Sequence, residues 1–259
     1  MPTMIAIYSF IFIMGLMIGA FVNRCIDRFP KKISFRKKAF CENCNANIKW
    51  HDEIPVLSFL LLKGRCRSCG AKVNIQYPIV ELANGILYVL VFMANGKDGE
   101  YFQNAIYCLM TSAFLVISII DERTQEIPLP CNLFIGALGV IACVYGIAFD
   151  PNFPGFSEIL ARIIGAIVIF FVLYLLANFG LMGGGDVKLM GLATILLGWP
   201  KVMIAFFLAC IVGSVIHVVR MKVSKAGRVL AMGPYLCFAL WVCTFWGDDM
   251  INWYLGMLK

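Results

Sequence analysis

Long apolar runs, separated by short polar turns, fill most of this 259-residue chain. Runs of this length match helices that cross the roughly 30 Å hydrocarbon core of a bilayer, which takes about 20 residues each. The pattern predicts about eight spans, at 4–22, 79–95, 104–120, 131–149, 159–178, 187–200, 201–219 and 230–247. The 187–200 run is short and stops at Gly198-Trp199-Pro200, so it is expected to tilt or to turn tightly into its neighbour. One large polar region, 23–78, interrupts the series. The expected fold is therefore an all-α integral membrane protein in three parts: a first transmembrane helix (1–22), a polar loop (23–78) and a transmembrane core (79–259).

Composition agrees with that pattern. Hydrophobic residues make up 61% and charged ones only 14%, whereas soluble domains carry about 25% charged residues. The net charge of +7 invites a nucleic-acid partner, but its placement argues for none. The 23–78 loop alone holds twelve Lys and Arg against Asp27, Glu42, Asp52 and Glu53, a balance of 12 − 4 = +8. Such an excess keeps a loop in the cytosol, so both termini are expected outside. Alternation puts 121–130, 179–186 and 220–229 inside too, the last with Arg220, Lys222, Lys225 and Arg228. The outward loops 96–103 and 150–158 are acidic on balance, and the first span, with no small-residue cleavage site after it, reads as a retained anchor.

Four of the eleven cysteines form two close pairs in the polar loop, Cys41-Glu-Asn-Cys44 and Cys66-Arg-Ser-Cys69. A CxxC turn aims two thiolates at one metal, and two such turns complete the tetrahedral set that zinc prefers, leaving no open position for catalysis. The expectation is a structural zinc site that folds a segment too small for a core of its own. Disulfides are the first alternative, disfavoured by a reducing cytosol, and an iron–sulfur cluster is another. The other seven cysteines lie in or beside apolar runs, where a thiol behaves as a small hydrophobe.

Two acids stand at span ends on the predicted cytosolic side. Asp121 closes the third span, in Ile119-Ile120-Asp121-Glu122-Arg123, and Asp186 opens the sixth, in Gly183-Gly184-Gly185-Asp186-Val187. Ionisable groups at such positions point to function. Three glycines before Asp186 let the backbone adopt positive φ and approach a ligand closely, and they break the helix, leaving backbone N–H groups that a substrate strand can use. Two carboxylates within a few ångströms share one proton, so that one activates water while the other polarises a carbonyl. The bland alternatives are a helix-end acid in a charged turn for Asp121 and an N-cap for Asp186. Rival functions are a proton-coupled transporter, which needs carboxylates near mid-membrane and two related halves, and a noncatalytic zinc-binding membrane adaptor.

In these residues the chain resembles the type IV prepilin leader peptidases, also called prepilin peptidase/N-methyltransferases. The resemblance rests on Gly19-Ala20-Phe21-Val22-Asn23 with Arg28-Phe29-Pro30, and on the two CxxC turns flanking Ile54-Pro55-Val56-Leu57-Ser58. It continues through Tyr77-Pro78-Ile79-Val80-Glu81, Asp121 with Ile127-Pro128, Gly183-Gly184-Gly185-Asp186, and Met232-Gly233-Pro234. It implies a multi-pass protein of the bacterial inner membrane that removes basic leaders from type IV pilus prepilins or protein-secretion pseudopilins. Asp121 and Asp186 are then the catalytic pair, facing the cytosol. It also implies methylation of the new N-terminus by S-adenosylmethionine, for which the sequence shows no glycine-rich binding unit. Ala20 stands where the family often has Ser, and Leu129-Pro130-Cys131 where an acid usually follows Ile-Pro.

Overall fold

The computed structural model describes residues 2–37, 39–41, 43–95, 101–150, 153–180, 182–224 and 230–257. Lys38, Glu42, Lys225, Arg228 and Lys259, counted above among the charges, lie outside the described residues, as do 96–100 and 151–152 of the two outward loops.

The described residues are helical, with two isolated β-bridges and no longer strand. In chain order the α-helices are α1 (Pro2–Lys31), α2 (Leu57–Leu61), α3 (Gln76–Ala94), α4 (Tyr101–Thr124), α5 (Leu129–Phe149), α6 (Phe156–Asn178), α7 (Gly184–Leu197), α8 (Trp199–Ser224) and α9 (Gly233–Met257). Six of them, α1, α3, α4, α5, α6 and α8, are long and apolar enough to cross a membrane. The other two expected spans fall on α7, which has only 14 residues, and on α9, which carries Thr244, Asp248 and Asp249. Helix α1 also continues well past the predicted end at 22, through Arg24, Asp27 and Arg28. Hydropathy marks where lipid ends, and a helix whose backbone bonds are already satisfied need not end there.

The chain forms two compact units, Met1–Val116 and Ile117–Lys259, with the division inside α4. In the first, α1 lies along α3 at backbone contact. A Cβ on Gly15 would stand 2.7 Å from Gly85 Cα, and one on Gly19 would stand 2.7 Å from Glu81 Cα. Small residues spaced by four along a span give helices in lipid this approach. The polar side chains there satisfy one another. Asn84 Nδ2 donates to the Gly15 carbonyl at 2.7 Å, Ser112 Oγ donates to Asn84 Oδ1 at 2.9 Å, and Tyr88 shares a hydrogen bond with Ser112 at 2.9 Å.

In the second unit α7 is packed by α5, α6 and α8. Its Val187, Leu189, Met190, Ala193 and Leu196 are all buried, as expected of a helix that is apolar all round. Gly139 of α5 permits the contact, since a Cβ there would lie 2.8 Å from the Leu196 nitrogen. The last carbonyls of so short a helix need donors that lipid lacks. Arg162 of α6 supplies them, giving hydrogen bonds to the Ile195 and Leu196 carbonyls at 3.3 and 2.8 Å while paired with Glu158 at 2.9 Å. Gly198, at φ +85°, then turns the chain into α8.

Candidate active site

Helix α4 stops one turn beyond Asp121. Gln125 takes φ +57° and its N–H donates to the Asp121 carbonyl at 2.8 Å, a left-handed end that satisfies one orphan acceptor. The chain then runs through Ile127 and Pro128 into α5, with Pro130 in its first turn. Helix α7 begins at Gly184 with Gly183 as its N-cap, so Asp186 sits inside the first turn and is not the cap itself.

Both aspartates are buried, Asp121 at 4% and Asp186 at 7% exposure, against the default of an exposed helix-end acid. Asp121 lies close enough to act electrostatically on Asp186, and both act on the thiol of Cys237, which is buried in α9. Their partners differ. Asp121 Oδ2 accepts the Gly233 N–H at 2.8 Å, whereas Asp186 Oδ1 is buried without a partner. Glu122, next to Asp121, is exposed and pairs with Arg220 at 2.9 Å, though its charge also acts on Asp121. Both acids lie within a turn of their helix ends.

The glycines before Asp186 require a correction. None of the three has positive φ. What they supply is space, and unequally: a Cβ on Gly185 would lie 2.9 Å from Ile127 Cβ, one on Gly183 would lie 3.0 Å from Asp186 Oδ2, and one on Gly184 would meet nothing within 4 Å. Two further residues belong to the site. Gly233 gives the hydrogen bond to Asp121 and has no room for a side chain, since a Cβ would come within 2.7 Å of Asp121 Oδ2. Asn132 of α5 is fully buried, and its Nδ2 donates to the Gly185 carbonyl at 3.2 Å. The sequence signals are a Gly-Pro pair at the start of the last helix and a lone amide in an apolar run.

The cysteine quartet belongs to the other unit. Its two turns have the same construction. Cys41 and Cys66 donate their N–H to the Ala46 and Ala71 carbonyls at 3.0 and 2.8 Å, while their own carbonyls accept from Asn45 and Gly70 at 2.8 and 2.9 Å. Asn45 and Gly70 occupy equivalent left-handed positions, at φ +54° and +70°, which Asn and Gly tolerate best. Bridges Phe40–Asn47 and Arg65–Lys72 close each turn as a small hairpin. The four sulfurs lie within 4.8 Å of one another, with Cys41 and Cys69 at 3.9 Å, so the group could hold one metal ion. Sulfurs at tetrahedral corners about 2.3 Å from zinc stand ~3.8 Å apart, and the fit is good. The backbone N–H of Ala71, followed by the Asn43 side chain, pushes the Cys69 thiol down to about 6. Cys41 is also lowered, chiefly by the Cys44 N–H. Both shifts favour the thiolate that a metal needs, whereas Cys44, despite the Ala46 N–H, is pushed up to about 11 by desolvation and by the neighbouring Cys69, Cys41 and Cys66 thiols. Asp52 and Arg67 brace this loop with hydrogen bonds at 2.6, 2.9 and 3.1 Å, and the guanidinium holds the carboxyl below its usual range.

Known sequences match both units. Residues 13–95 match the Bacterial Peptidase A24 N-terminal domain, and residues 108–218 match the Type IV leader peptidase family. A protein of Legionella pneumophila named prepilin leader peptidase/N-methyltransferase is 32% identical over 86% of this chain and 77% of its own length. Proteins of the same name from Neisseria gonorrhoeae and Pseudomonas aeruginosa are 30% and 28% identical, each over 94% of this chain and over 93% and 91% of their own lengths. No solved structure matches the chain.

Proposed function

Since the chain belongs to the Type IV leader peptidase family, we propose that it is a membrane aspartyl endopeptidase cutting basic leaders from prepilins or pseudopilins, with Asp121 and Asp186 as its catalytic pair. The observation that carries the assignment is two buried carboxylates, from separate helices of one unit, the charge of Asp121 acting on Asp186.

The hydrogen bonding suggests how the work divides. Asp121 is fixed as an acceptor by the Gly233 N–H, and in the ionised form it takes a proton from the attacking water. Asp186 Oδ1, which lacks a donor, carries the proton the pair shares and gives it as a hydrogen bond to the scissile carbonyl oxygen. Water adds to that carbon, and the proton held by Asp121 passes to the leaving nitrogen as the C–N bond breaks. A prepilin places its basic leader in the cytosol and its apolar helix in lipid. Its junction thus meets the enzyme at the membrane boundary, which fits acids one turn from helix ends.

The finer topology follows from the charge pattern. Helices α7 and α9 complete eight crossings of the bacterial inner membrane, with both termini outside and the aspartates on the cytosolic face, where the basic loop also lies. The loop forms a separate domain whose Cys41, Cys44, Cys66 and Cys69 hold a structural zinc ion. The name shared by the relatives adds N-methylation of the new N-terminus, with S-adenosylmethionine as the methyl donor. Cleavage of a prepilin-like substrate by the purified chain, beside Asp121→Asn and Asp186→Asn variants of checked folding, tests the assignment. Loss in both variants is expected; cleavage surviving either substitution removes that residue from the pair.

A further inference from the structure

Asn132 takes no part in the chemistry just described, yet its surroundings are unusual. It lies fully buried near the start of α5, in a run otherwise apolar. Its Nδ2 reaches across to the Gly185 carbonyl at 3.2 Å, on the peptide unit that carries Asp186. Ile127 crowds the other side of that glycine, so the Gly185 peptide is gripped by two residues flanking the α4–α5 turn. The Oδ1 of Asn132 is buried without a partner, as is Oδ1 of Asp186. A buried acceptor without a donor is costly and calls for an explanation. Asp186 Oδ1 carries the shared proton and finds its acceptor in the scissile carbonyl, whereas Asn132 Oδ1, in a site that must receive a peptide, marks a place where a donor arrives with the substrate.

We propose that Asn132 is a positioning residue for the cleavage reaction: its amide nitrogen fixes the Gly185 peptide beneath Asp186, and its carbonyl oxygen accepts a backbone N–H of the bound substrate beside the scissile bond. The proposal rests on Asp186 being catalytic. The attacking water is a poorer occupant for this acceptor, because the ionised Asp121 already takes its proton. A substrate strand, in contrast, carries backbone N–H groups that no helix satisfies, and it brings them into a site where water is scarce.

The test uses the full chain in detergent and peptides spanning a prepilin cleavage site. One is all-amide; in the others an ester replaces a single backbone N–H within two residues of the scissile bond, on either side. In the wild type one ester position is expected to lower kcat/KM by roughly tenfold, the size of one hydrogen bond. Asn132→Leu and Asn132→Ser should each lower kcat/KM on the all-amide peptide by roughly tenfold or more, and lose nothing further with that ester. Ser keeps a hydroxyl donor near the Gly185 carbonyl, so it serves if Leu fails to fold. A purely structural role predicts losses that multiply at every ester position, and that result overturns the proposal. So does a wild-type scan with no sensitive position, which needs no variant at all. Failure of the wild type to cut the all-amide peptide overturns the peptidase assignment, and the proposal with it.

Discussion

Replacing Gly233 by alanine should disable Asp121 without touching it. The added Cβ would stand 2.7 Å from Asp121 Oδ2, 2.9 Å from its Cγ and 3.0 Å from its Cβ. Because all three atoms of so short a side chain are crowded, the whole carboxylate must retreat and a turn of its tip will not suffice. Ordinary contact begins near 3.4 Å, so the retreat is ~0.7 Å. Moving straight back by that amount stretches the 2.8 Å bond from the Gly233 N–H to ~3.5 Å, beyond useful hydrogen bonding. Overpacking of this kind costs about 1–3 kcal/mol of stability. Misplacing a reacting group by a similar distance costs on the order of 10²-fold in rate. Cleavage of a prepilin peptide should therefore fall about a hundredfold in kcat/KM while thermal melting in detergent moves by a few degrees. Gly256→Ala in the same helix, with open space around it, is the control and should cleave normally. If Gly233→Ala cuts at the wild-type rate while Asp121→Asn is inert, the contact does not position the carboxylate.

Three other outcomes are expected. Gly184→Ala should be tolerated and Gly185→Ala should lose cleavage, because only the latter meets Ile127; equal behaviour in a cleavage assay would show that spacing against Ile127 is irrelevant. Arg162→Ala should destabilise the second unit by about 1.5–3 kcal/mol, the range for hydrogen bonds to a charged donor, as read by denaturant melts. In metal analysis, the reduced chain should carry one zinc equivalent, and a Cys41→Ser, Cys44→Ser double variant should carry none; well under one equivalent in reduced wild-type protein would contradict the site.

The helices were legible because lipid imposes a crude rule: every run of the right length and polarity in 79–178 became a helix within a few residues of its predicted ends. The ends of α1 were not, since polar residues such as Arg24 and Asp27 are compatible with a helix that has left the apolar layer. The cysteine quartet came from spacing alone. At the aspartates, sequence picked out two residues but misjudged the glycines, because a GGG run is equally consistent with left-handed turns and with crowding, and only the position of Ile127 decides. Gly233 stood out by its Gly-Pro pair and Asn132 as a lone amide in an apolar run, but what each touches was out of reach for a similar reason. Their partners lie 112 and 53 residues away along the chain, and no local pattern encodes a contact of that range.

The capped, shortened helix α7 has a consequence for the surrounding lipid. Its 14 residues rise only ~21 Å, about 9 Å less than the hydrocarbon layer. Arg162 stands six residues beyond Phe156 at the start of α6, also ~9 Å in from that end, so both reach the same depth. With α7 as a membrane crossing, as proposed above, the bilayer on the face opposite the aspartates must dip towards the arginine or admit water to it. Thickness mismatch of this kind costs fractions of a kcal/mol per ångström, which makes acyl-chain length a mechanical load on the helix that bears Asp186. Longer-chained lipids should press hardest on its anchored end, coupling the membrane's thickness to the set of the catalytic turn.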